Sequence, residues 1–109
     1  MISGRFDVVL VPFPFSDRSG AKPRPALVLS DEKSNATDGH TILAMITRSV
    51  SEVWQSDVPI TDLAAAGLNA PSVVRFKLFT LDNDRVRRRL GALGAADLAA
   101  GRRRLADLL

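Results

Sequence analysis

Phe6-Asp7-Val8-Val9-Leu10-Val11 is an apolar run rich in β-branched residues and stopped by Pro12, and it reads as a β-strand. Pro12 and Pro14 set an extended exit. Next comes a polar, glycine-containing loop, Ser16 to Lys22. Pro23-Arg24-Pro25 then feeds Ala26-Leu27-Val28-Leu29, a short continuous apolar run suited to a buried strand. Asp31 to His40 is polar and reads as a second loop, and Thr41 to Thr47 as a third strand. The crossover helices that a parallel sheet needs are missing.

The second half extends the same pattern. Trp54 to Ile60 reads as a further strand, with Pro59 arguing for an edge position. Asp62-Leu63-Ala64-Ala65-Ala66, followed by Gly67, predicts one or two helical turns with a glycine stop. Val73 to Leu81 alternates, with Val74, Phe76 and Leu78 on one face and Arg75, Lys77 and Phe79 on the other. Ala95 to Leu109 is the segment with helical spacing and carries Leu98, Leu105 and Leu109 on one stripe. Gly101 inside it costs about 1 kcal/mol relative to alanine, which predicts a weak central turn. The expected fold is mainly β (α+β): one domain over residues 1–109, a small twisted barrel or half-barrel with a short internal helix and a C-terminal helix.

Composition narrows the chemistry. The 109 residues hold no cysteine, so a disulfide framework, a thiol nucleophile and thiolate zinc sites are excluded. No apolar run approaches the roughly 20 residues needed to cross a bilayer, and no signal-peptide h-region is visible, so a cytoplasmic protein without membrane contact is expected. The net charge is +3, and twelve of the fifteen basic residues are arginine, whose planar fork suits phosphate. There is no phosphate-binding glycine loop, no H-E-x-x-H and no strand-borne G-x-G-x-x-G. The single histidine cannot supply an acid–base pair, and the carboxylates are too scattered for a two-metal cluster. Any catalysis is left to Arg, Lys, Thr, Ser and backbone donors, with no metal and no cofactor expected.

Several blocks, in order, resemble the MazF/PemK toxins. They are Phe6 to Phe13, Lys22-Pro23-Arg24-Pro25-Ala26-Leu27-Val28-Leu29-Ser30, Ala44-Met45-Ile46-Thr47, Ser72-Val73-Val74-Arg75, Lys77 to Asp82, and the leucine-spaced terminal helix. The resemblance runs from about Ser3 to the end. It implies an SH3-like barrel, a two-fold dimer, and sequence-specific, metal-independent cleavage of single-stranded RNA such as mRNA. In that family the 2′-hydroxyl attacks the adjacent phosphorus, leaving a 2′,3′-cyclic phosphate and a 5′-hydroxyl. A cognate antitoxin is the implied protein partner. By the family's pattern, the arginine of the Arg-Pro-Ala block and the threonine closing the Ile-Thr strand end are catalytic, which are Arg24 and Thr47 here. A guanidinium pairs bidentately with the charge that builds on the non-bridging oxygens, and a hydroxyl can donate to the same phosphate. Arginine stays protonated, which assigns Arg24 to charge stabilisation and leaves the general base open. Lys22, Arg48, Trp54, Arg75 and Lys77 are the expected RNA contacts. A glutamine that often stands close to the position of Lys77 in the family is absent, so cleavage specificity does not carry over.

Bland readings stand beside these. Arg75 and Lys77 could line a phosphate track or a solvated outer face. Trp54, Phe13 and Phe15 could stack on bases, and Phe13 and Phe15 could instead plug a barrel end. His40 reads as a solvated turn residue. The arginine runs Arg85–Arg89 and Arg102–Arg104 could be phosphate contacts or ordinary charged faces. Two other functions fit a small basic barrel: a non-catalytic toxin resembling the CcdB gyrase poisons, and a plain nucleic-acid-binding barrel. The Arg24/Thr47 pair separates the first of these from an enzyme, because a surface that only binds protein does not need it.

Overall fold

The computed structural model describes residues 1–12, 22–49 and 52–109. Among these residues six strands form one antiparallel sheet in the order β4-β5-β3-β2-β1-β6. In chain order they are β1 (Asp7–Pro12), β2 (Pro23–Val28), β3 (His40–Arg48), β4 (Val58–Pro59), β5 (Ser72–Asp82) and β6 (Arg88–Ala92). Three helices accompany them: α1 (Glu32–Asp38), α2 (Leu63–Ala66) and α3 (Ala95–Leu108), with a 3₁₀ turn at Asn83–Arg85. Among the described residues no helix is long and apolar enough to cross a membrane.

The sheet buries both faces, which explains runs such as Val8-Val9 that do not alternate with polar residues. One face gathers Phe6, Val8, Leu27, Ala44, Ile46 and Val74, covered by Leu93, Leu98 and Leu105 from α3 and the chain before it. The other gathers Val9, Val11, Ala26, Val28, Leu43 and Phe79, with Val86 packed against them. The sheet curls into a half-barrel whose two edges come together through helices. Helix α2 leaves the β4 edge and packs on β6, while α3 packs on β4. That closure relies on two glycines. Gly67 ends α2 at φ +74°, and a Cβ there would lie 2.1 Å from the Leu90 carbonyl oxygen. At Gly91 of β6 a Cβ would lie 2.2 Å from the Ala65 carbonyl oxygen. No side chain fits at either point, so the helix backbone rests directly on the strand backbone.

Two expectations need correction, and one strand was not foreseen. The segment Asp31–His40 is not a loop: Asp31 accepts a 2.7 Å hydrogen bond from the Ser34 N–H and Gly39 closes the helix in the left-handed conformation, giving α1. The fold therefore has more than one short internal helix. From Trp54 to Ile60 only Val58–Pro59 pairs as a strand, at the sheet edge as Pro59 suggested, and Trp54–Asp57 is a turn closed by a 3.0 Å backbone bond. Strand β6 had no counterpart in the reading of the sequence. Helix α3 runs unbroken through Gly101, which is buried where the helix approaches Leu93 and Phe6.

Strand β5 keeps its expected faces through an irregularity. Arg75 pairs with Met45 and Leu78 with Ala44, so Phe76 and Lys77 are two extra residues opposite one step of β3. Two extra residues leave the alternation in phase. Val74 and Phe76 join the first cluster and Phe79 the second, while Leu78 lies half-open at the end of its face.

Candidate functional site

The register of the sheet brings the two catalytic candidates together. Strands β2 and β3 pair through Val28↔Leu43, Leu27↔Ala44 and Ala26↔Met45, and Arg24 is paired on its other side with Val11. Pro23 and Pro25 cannot donate to the ladder, so formal pairing with β3 stops at Ala26. Continuing the same register by two residues sets Arg24 opposite Thr47. Thr47 in turn pairs with Val73 of β5. Arg24 and Thr47, a chain apart by more than twenty positions, thus project from one face of adjacent strands at the rim of the sheet.

A groove of about 530 Å³ opens at this rim. Its walls are the start of β2 (Lys22 to Pro25), the end of β3 (Ile46 to Arg48) and the connection between α2 and β5 (Leu68 to Ala70, with Ser72). Lys22, Arg24 and Arg48 are the charged residues lining it, with no carboxylate among the lining residues. All three are exposed, and Thr47 is half-buried between them. Among the described residues, none makes a hydrogen bond or ion pair with these three cationic side chains. Ser72 is occupied, donating 2.9 Å to the Ala70 carbonyl and fixing the groove wall.

The wall is anchored from behind by Asp97, in the first turn of α3. Its carboxylate accepts from the Thr61 N–H at 2.9 Å, the Thr61 hydroxyl at 2.7 Å and the Asp62 N–H at 2.9 Å. Burial pushes this carboxyl upward, but the hydrogen bonds from Asp62 and Thr61 outweigh it and hold Asp97 below the usual carboxylate range. Asp62 is also the N-cap of α2, accepting from the Ala65 N–H at 3.0 Å. The path from α3 to the groove is therefore continuous: Asp97, Thr61–Asp62, α2, then Leu68 to Ala70.

The remaining expected contacts fare differently. Arg75 is not a spare cation: its Nε and Nη2 donate to Asp57 at 3.1 and 2.8 Å, and Nη2 also donates to the Glu52 carbonyl at 3.0 Å. Its guanidinium lies 4.3 Å from the centre of the Trp54 ring. The side chain of Asp57 is fully buried. Burial raises its pKa and the Arg75 hydrogen bonds and the Trp54 N–H lower it, with a net fall; Arg75 is raised in return. Lys77 is exposed in the β5 irregularity. His40 is exposed at the start of β3 rather than in a turn. Phe13 and Phe15 lie outside the described residues. Of the arginine runs, Arg89 pairs with Asp7 at 3.2 Å and Arg104 lies over Phe76 at 5.7 Å. Among the described residues no three His, Asp or Glu side chains gather to hold a metal ion. Sequence reasoning missed Asn69 and Ala70 as groove walls, because only the closure by α2 brings them there.

These features define a small antiparallel half-barrel with a cationic groove at its strand ends and no carboxylate among the groove's lining residues. Residues 4–109 match the PemK-like, MazF-like toxins of type II toxin-antitoxin systems, and the chain belongs to that family. Among solved structures it is similar to the Mycobacterium tuberculosis toxin MazF-mt6, with 25% identity, a TM-score of 0.71 and 93% of each chain covered. It is also similar to MazF in the MazE-MazF complex from Deinococcus radiodurans, with 24% identity, a TM-score of 0.74 and coverage of 99% of this chain and 95% of the other. An endoribonuclease solved with its cognate antitoxin from a mycobacterial species shares the fold at 16% identity, with a TM-score of 0.72 over 97% of this chain and 91% of the other. No curated protein sequence matches.

Proposed function

We propose that this toxin is an endoribonuclease that cuts single-stranded RNA, mRNA included, by transesterification in the Arg24/Thr47 groove. The observation that carries the reading is the groove itself: Lys22, Arg24 and Arg48 are left unpaired among the described residues around Thr47, with no carboxylate to repel a phosphate. The mycobacterial relative described as an endoribonuclease supports the same activity. In the reaction the 2′-oxygen forms a bond to phosphorus and the bond from phosphorus to the 5′-oxygen breaks. The 2′-hydroxyl gives up its proton and the departing 5′-oxygen takes one. Negative charge grows on the non-bridging oxygens, where Arg24 supplies a bidentate fork and Thr47 a hydroxyl donor. Lys22, Arg48 and Lys77 hold the backbone on either side. The products are a 2′,3′-cyclic phosphate and a 5′-hydroxyl.

The toxin acts in the cytoplasm as a homodimer. It is neutralised by a cognate antitoxin, the kind of partner present in the MazE-MazF and endoribonuclease–antitoxin complexes, and an acidic antitoxin tail would compete with RNA for the cationic groove. The decisive experiment incubates a long single-stranded RNA with the protein and with Arg24→Ala, EDTA being present. Discrete 5′-hydroxyl fragments from the parent, and a loss of at least about a hundredfold in rate for the variant, are expected. Intact RNA with both proteins overturns the reading and favours a toxin that poisons a protein target.

A further inference from the structure

Resting on the RNA reading given above, we propose that Trp54 is a stacking platform for a nucleobase of the bound strand, with Arg75 and Asp57 as its positioning residues. A single exposed aromatic means little by itself. What distinguishes Trp54 is the machinery holding it. Its backbone N–H donates 2.8 Å to the Asp57 carboxylate, the Asp57 backbone N–H donates 3.0 Å back to the Trp54 carbonyl, and Arg75 grips Asp57 through two nitrogens. The guanidinium then lies over the indole at 4.3 Å. The tryptophan is nevertheless 43% exposed. A ring pinned in place yet open to solvent is preorganised for a flat partner, since its ordering cost is met before binding.

The chemistry selects a base rather than a phosphate. Asp57 neutralises Arg75, so the platform offers a π-surface with a guanidinium behind it rather than a free charge. Every nucleobase has a π-face, so such a platform holds single strands without strict sequence demand. Its position suits a strand lying in the groove. Arg75 pairs with Met45, and Val73, two residues away on the same face, pairs with Thr47. Standard strand spacing and rise put the Arg75 backbone roughly 8 Å from that of Thr47. A base stacked on Trp54 therefore belongs to a nucleotide close to the reacting phosphate.

Trp54 is the chain's only tryptophan, so intrinsic fluorescence reads this site directly. A fluorophore-labelled RNA with 2′-O-methyl groups, which cannot be cut, is titrated into the protein while anisotropy reports binding and tryptophan emission reports stacking. Expected are quenching that saturates together with anisotropy, a Kd raised about 5- to 150-fold in Trp54→Ala, and substantial recovery in Trp54→Phe. Asp57→Asn, which keeps the ring and loosens its clamp, should bind more weakly and quench less. An abasic position scanned along the RNA should weaken binding to the parent at one place and add nothing to Trp54→Ala there. Full anisotropy change without quenching, or unchanged affinity in Trp54→Ala, overturns the platform and leaves the RNA groove standing. No anisotropy change with the parent protein overturns both.

Discussion

Asp97 links the C-terminal helix to the wall of the groove, and two substitutions there probe how firmly that wall is held. With 3% of its surface exposed, its carboxylate serves three donors: Oδ2 takes the Thr61 and Asp62 N–H groups, and Oδ1 takes the Thr61 hydroxyl. Asparagine can turn its oxygen toward the two N–H groups and its NH₂ toward the hydroxyl, which rotates to accept. All three bonds then persist, and what is lost is charge assistance. Hydrogen bonds to a charged group are worth roughly 1.5–3 kcal/mol against 0.5–1.5 for neutral ones, so Asp97→Asn should cost about 2 kcal/mol. Alanine strands all three donors in a buried site and should cost about 4 kcal/mol. Urea unfolding at pH 7 measures both. The pH dependence supplies an independent check. The folded-state pKa of Asp97 is lowered, so its stabilisation is fully present above the unfolded carboxylate value near 4 and is lost as pH falls through the folded value. The gap between parent and Asp97→Asn should therefore shrink progressively as pH falls below the unfolded carboxylate value near 4. Equal midpoints for the parent and Asp97→Ala at pH 7 would refute the anchoring role, as would a gap that does not change with pH.

Two further outcomes concern the groove. Thr47→Val removes the hydroxyl and keeps the shape, and should lower kcat about 10²- to 10³-fold with little change in KM, while Thr47→Ser stays within about tenfold of the parent. The slope of log K against log salt for single-stranded RNA should flatten by about 0.7 in Lys22→Ala and again in Arg48→Ala, each losing one phosphate contact. Arg89→Ala, whose cation already faces Asp7, should leave that slope unchanged in the same titration.

The parts of the fold visible in the sequence are those whose signal is local. Strands β1, β2, β3 and β5 show as β-branched apolar runs, α2 as an alanine-rich run with a glycine stop, and α3 as a leucine stripe. What escaped depends on partners far along the chain. Helix α1 has no apolar face to betray it: its one buried residue is Asn35, whose NH₂ donates 2.9 Å to the Ser3 carbonyl. Strand β6 begins with Arg88-Arg89, reads as a charge run, and exists because β1 offers it an edge. The turn at Trp54 reads as a strand because its apolar and β-branched residues hide a local closure, the Trp54 N–H on the Asp57 carboxylate and the Asp57 N–H on the Trp54 carbonyl, which Arg75, eighteen positions on, then holds. Arg24 and Thr47 were legible through family blocks, yet their meeting depends on the register of β2 with β3, which no local pattern encodes.

For the arginines, position in the fold says more about phosphate binding than number does. Four of them are committed within the fold: Arg5 lies 3.9 Å from Asp31, Arg75 clamps Asp57, Arg89 faces Asp7, and Arg104 covers Phe76. Each could have been counted toward an RNA surface from sequence alone. Arg24 and Arg48, together with Lys22, differ because no carboxylate lines their groove. An ion pair there would have to be broken, at a cost, before a phosphate could bind. Keeping acids away from this rim leaves three cations facing solvent in mutual repulsion, a state that favours folding less than pairing would. A polyanion relieves that repulsion on binding. An acidic antitoxin tail would relieve it in the same way, so the same electrostatic arrangement would serve both the proposed RNA substrate and the proposed competitor.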